Sequence, residues 1–121
     1  VTYLDQTGFY RKIGSLVFVS GRLNTNSVTG GSGATQIDGL PFTIASLSAD
    51  NASLNVGVSF ATWNSNAYVA SGYGLNGQTK IALRTYNSSD PRAGLDTAPT
   101  SWYSGTNGNG LVFSMCYLTT A

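Results

Sequence analysis

Apolar residues along this chain alternate with polar ones far more often than they recur at helical spacing. No stretch places apolar side chains at i, i+3, i+4 and i+7 between capping residues, and Gly, Asn and β-branched residues interrupt every candidate helix. Period-two segments are plentiful. Over residues 53–62, Leu54, Val56, Val58 and Phe60 are expected on one face, with Asn55, Gly57, Ser59 and Ala61 on the other. Over 78–86, Ile81 and Leu83 oppose Lys80, Ala82, Arg84 and Tyr86. Residues 8–13 and 16–25 flank Gly14-Ser15, a Gly-X pair suited to a two-residue type II′ hairpin. Residues 35–38 form a short strand before Gly39-Leu40-Pro41-Phe42, where proline excludes a central-strand position. Residues 67–75 precede Asn76-Gly77, the strongest hairpin signal in the chain. Residues 111–119 are the last expected strand. This strand and Leu16-Val17-Phe18-Val19 are apolar on both faces, which predicts burial on both sides. Residues 87–109 show no regular pattern. So long a segment in a small domain is either functional or conceals a short element.

About seven strands with turns between them predict an all-β fold, an antiparallel β-sandwich of jelly-roll type. There is no internal repeat and no linker, so residues 1–121 read as one domain. The chain starts at Val1, which suggests a piece of something longer.

Composition removes several functions. Histidine and glutamate are absent, which excludes a Ser-His-Asp or Cys-His device and any His-based metal site within the chain. Acid–base catalysis by paired carboxylates would have to draw on five aspartates whose spacing singles out no pair. The chain is read as non-enzymatic, with no cofactor and no metal. The net charge of +1 is too small for nucleic-acid binding, and no apolar run suits membrane insertion. Cys116, the single cysteine, lies in an apolar run and reads as a buried small hydrophobe.

The remaining chemistry is aromatic and polar. Sugar rings present an apolar C–H face and a hydroxyl rim, which flat amphipathic side chains with nearby Asn, Asp or Arg complement. Trp63, Trp102 and Tyr103 in turns or loops are the candidate stacking residues, weighed against ordinary packing. Tyr68, Tyr73 and Tyr86 lie on expected strands and are assigned to packing. Asp90, Arg92 and Asp96 could clamp hydroxyls, although a solvated loop is the simpler reading of them. Asp38 and Asp50 read as turn residues.

Three segments carry a family likeness. Tyr10-Arg11-Lys12-Ile13-Gly14-Ser15-Leu16-Val17 with Val19-Ser20-Gly21-Arg22-Leu23, then Ile37-Asp38-Gly39-Leu40-Pro41-Phe42, then Leu111-Val112-Phe113-Ser114 with Tyr117, resemble C-terminal modules of bacteriophage tail fibres and tailspikes. The resemblance covers about the first third of the chain and the final strand. It implies a β-sandwich, usually a homotrimer, on a virion adhesin exposed at the host cell surface. It carries over no catalytic residues. The expected function is therefore recognition of a host receptor, a bacterial surface polysaccharide above all, coupled to trimer assembly. The alternative is a purely structural virion protein, either a fibre trimerisation cap or a capsid decoration protein. Sparse charge, at 9% of residues, favours burial against neighbouring copies in either case.

Overall fold

The computed structural model describes residues 2–27, 36–47, 52–60, 67–87, 95–97 and 109–120. They form eight strands: β1 (Thr2–Ile13), β2 (Leu16–Ser27), β3 (Gln36–Asp38), β4 (Ser53–Phe60), β5 (Ala67–Gly74), β6 (Lys80–Asn87), β7 (Leu95–Thr97) and β8 (Asn109–Leu118). Seven run in the order β1-β2-β8-β4-β5-β6-β3, and β7 pairs with β6. Every pairing is antiparallel. β3 meets the first part of β6, with Ile37 opposite Ile81, and β7 meets the later part, with Asp96 opposite Thr85. The all-β antiparallel class expected from the alternation is the class observed. Among the described residues it takes the form of one continuous sheet curled into a half-barrel.

The curl gives the sheet one inner face, and the core lies there. Val17, Val19, Leu54, Ile81, Leu83, Leu111, Phe113, Met115 and Tyr117 are all buried in one cluster. The ring of Phe113 lies where a side chain on Gly21 would have to go, so the glycine is covered by its neighbour's aromatic ring. Gly74 is tighter still. A methyl group there would collide with Ile44 and Met115 and would press on Ala52.

Residues 39–47 run across one end of the half-barrel and close it. The Gly39 and Leu40 N–H groups donate to the Thr79 carbonyl, Ile44 N–H to Gln78, Gly77 N–H to Ile44 and Ala45 N–H to Leu118. Leu40, Ile44 and Ala45 are buried beneath. Tyr117 then fastens this crossing segment to β8. Its hydroxyl donates to the Phe42 carbonyl at 3.0 Å and accepts from the Phe42 N–H at 3.3 Å. Burial holds the phenol above the ordinary tyrosine pKa, against a smaller lowering by the Phe42 backbone.

Several expectations need correction. β1 begins at Thr2, not at residue 8, and its polar first half is solvated while pairing with the far half of β2. The unpatterned segment 87–109 needs no correction, since it conceals a short element, β7, as one of its two readings had it. The alternation expected through 53–62 is interrupted. The β4–β8 ladder slips between Val56 and Val58, so Val58 stands opposite Val112. Asn76-Gly77 does sit at the centre of a β-turn, closed by the Gln78 N–H on the Leu75 carbonyl with Gly77 at φ +69°, but the hairpin loop is longer than two residues, because the Leu75 N–H bonds the Lys80 carbonyl.

Gly14, at φ +58°, does occupy the two-residue turn expected of it. β8 is central, between β2 and β4. Double-sided burial, however, does not occur in either apolar strand. Leu16 and Phe18 are exposed while Val17 and Val19 are buried, and Cys116 and Leu118 are exposed while Met115 and Tyr117 are buried. Among the described residues no second layer covers the convex side of the sheet.

Replacing Tyr117 by Phe leaves both backbone groups of Phe42 without their partner. We expect a loss of about 1–3 kcal/mol in denaturant unfolding. The phenol is neutral in the fold, so its contribution is present below the ordinary tyrosine range and lost as pH rises through the elevated folded value. Parallel unfolding series in alkali should show that loss in the parent and not in Tyr117→Phe. Gly74→Ala should cost about 1–3 kcal/mol by overpacking, read from its denaturant midpoint.

Candidate functional site

The half-barrel leaves a groove of roughly 450 Å³ between its two edges, within the range of roughly 300–1,000 Å³ usual for small-ligand clefts. Val19, Phe113 and Ile81 form an apolar floor. One wall is the inner side of β1, where Gln6, Gly8 and Tyr10 follow one another at alternate positions. The opposite wall is β3 and the turn after it, from Ile37 to Pro41.

The two walls touch at one end. Tyr10 meets Phe42 edge to face, with ring centroids 5.6 Å apart and planes at 86°. Lys12 places its ammonium 5.6 Å from the centroid of the same ring and donates to the Gly14 carbonyl. Tyr10 remains half exposed, so an aromatic surface is open to solvent at the groove's mouth.

Asp38 is the charged side chain among the groove's lining residues. Its Oδ1 accepts from the Thr79 hydroxyl at 2.9 Å and from the Gly39 N–H at 2.7 Å. The Thr79 bond, then the Gly39 bond, hold its carboxyl below the ordinary aspartate range, and Lys80 opposite it in the ladder adds to this. The group is ionised at neutral and mildly acidic pH. Asp38 is the turn residue that its sequence context suggests, and the same turn places an acceptor beside the groove. The groove therefore offers an apolar floor and an aromatic edge, with the Asp38 carboxylate held at its rim by Thr79 and Gly39. It can hold a ring with one apolar face and hydroxyl or ammonium donors.

Trp63, Asp90, Arg92, Trp102 and Tyr103 lie outside the described residues. Asp96 falls within β7, where its backbone stands opposite Thr85. Tyr73 does pack within the sheet, half-buried, receiving a 3.1 Å hydrogen bond from Arg84 with the guanidinium 5.2 Å from its ring centroid. Tyr68 and Tyr86 stand opposite one another in the β5–β6 ladder. Sequence reasoning passed over Tyr10 as a binding residue because it lies inside a strand. The missed signal is its phase. Tyr10 alternates with Phe9 and Arg11 on an edge strand, so it shares the inner face with Gln6 and Gly8.

Compared with known proteins, the chain matches no family model, no curated protein and no solved structure.

In an NMR titration the Asp38 carboxyl should lose its proton at lower pH than an ordinary aspartate. Thr79→Val should move that titration back up. An unchanged midpoint in the variant would remove the hydroxyl as the cause.

Proposed function

We propose that the chain is a non-catalytic recognition and assembly module of a bacteriophage tail fibre or tailspike, displayed on the virion and binding a glycan of the bacterial surface in the groove beside Tyr10 and Asp38. One observation carries the reading. The three segments with the family likeness are far apart in sequence, yet they meet here. β1 and β2 supply Tyr10, Val19 and Gly21; the 37–42 segment supplies Asp38 and Phe42; β8 supplies Phe113 and the Tyr117 clasp. The likeness therefore concerns one connected region, and that region is concave, partly aromatic and equipped with a fixed acceptor. The homotrimer implied by the same likeness belongs to this proposal. So does a place at the host cell surface.

The alternative, a purely structural virion protein, draws on a different observation. Phe9, Ile13, Leu16, Phe18 and Leu118 are exposed on the convex side of β1, β2 and β8, which suits contact with other copies.

The two readings separate by titration. Neutral and amino-sugar oligosaccharides should bind with dissociation constants on the order of millimolar to micromolar, and Tyr10→Ala should weaken them about tenfold or more. Acidic oligosaccharides should bind less well, because the groove's carboxylate repels them. No binding by any host polysaccharide at millimolar concentration would leave the structural reading.

A further inference from the structure

We infer that β1 is a self-pairing edge, through which two copies of this chain join antiparallel, β1 against β1, into one continuous sheet. This rests on the reading of the chain as an assembling module, and it replaces the three-fold arrangement named there with a two-fold contact. β1 pairs with β2 on one side, and no described strand takes its other side. It is also long for an edge strand, and all but one of its residues are exposed. The two-residue turn at Gly14-Ser15 closes on the pair Ile13 and Leu16, so the hydrogen-bonded pairs with β2 fall on odd-numbered residues of β1. The N–H and C=O groups of Gln6, Gly8, Tyr10 and Lys12 therefore point toward the open side.

The charges along β1 choose the partner and its direction. Asp5 lies toward one end and Arg11 toward the other, on the same face of the strand. In an antiparallel pair with Gly8 opposite Gly8, each Asp5 stands opposite the other copy's Arg11 at a non-hydrogen-bonded position, where side chains are closest. Gln6 is then opposite Tyr10, and both present free backbone groups to each other. Asp5 already holds Arg22 of its own chain at 2.9 Å, so the carboxylate would lie between two guanidinium groups. A parallel in-register pair would instead set Arg11 on Arg11, Lys12 on Lys12 and Asp5 on Asp5. Like charges directly opposite each other disfavour it.

Pairing β1 with the far edge of another copy's sheet is a poor match. Among the described residues that edge offers only the three-residue strands β3 and β7 beside β6. Joining β1 to β1 satisfies a ladder from Leu4 to Lys12 and closes at two copies. It also makes the exposed Phe9 and Ile13 continuous with those of the second copy.

The test is the solution mass of the chain by light scattering, with strand content checked by circular dichroism. The chain should run as two copies, and Arg11→Glu and Asp5→Arg should each raise the dissociation constant on the order of tenfold. An equimolar mixture of the two variants should recover the pairing, since every contact between them is then of opposite sign. A two-copy mass that Arg11→Glu leaves unchanged overturns the β1 contact. A three-copy mass overturns it too, while leaving the assembly reading in place. A one-copy mass at every concentration overturns both.

Discussion

The structure depends on closing a curled sheet that, among the described residues, has no second layer. A half-barrel gathers its apolar side chains on the concave face, and an open end would admit water to them. Here the crossing segment 39–47 closes that end. It takes its backbone partners from Gln78, Thr79 and Leu118 and buries Leu40, Ile44 and Ala45. The Tyr117 hydroxyl holds both backbone groups of Phe42, so the position of this segment is tied to the central strand. Phe42 in turn meets Tyr10 across the opening. One buried phenol thus sets where one wall of the groove sits relative to the other.

The close approach of Ile44 and Met115 to Gly74 belongs to the same arrangement. β5 can run beneath the crossing segment only because nothing projects from it at that position. The alternation of side chains builds the sheet, and the places that lack a side chain let its pieces close together. The half-exposed Tyr10 and the solvated Asp38 stand at the margin of that packing, where a ligand can reach them without disturbing the core.

Much of the fold is legible in the sequence, because strand alternation and turn residues act locally. The hairpin at Gly14 and the alternation of Ile81 and Leu83 follow from such patterns, whereas β8 is central without the double-sided burial that its apolar faces suggest. What stays hidden depends on partners distant in sequence. Leu16 and Phe18 look like core residues, yet no described element covers their side of the sheet. Cys116 follows the same logic: its neighbours are apolar, but its phase in β8 puts it on the convex face. The slip at Gly57 has no local mark beyond the glycine itself, because a bulge is defined by the strand across from it. The groove was the least visible feature, since Tyr10 and Asp38 become neighbours of one cleft only when the sheet curls.

The order of strands also bears on how the molecule is made. β8 comes last along the chain among the described strands, yet it lies between β2 and β4 at the middle of the sheet. During synthesis the β1–β2 hairpin emerges first and can pair at once. On the side away from β1, however, Val17 and Val19 have no neighbouring strand until β8 has been made. The two parts of the half-barrel are joined by the last of the described strands. Until β8 pairs, β1-β2 and β4-β5-β6 with β3 are separate pieces of sheet.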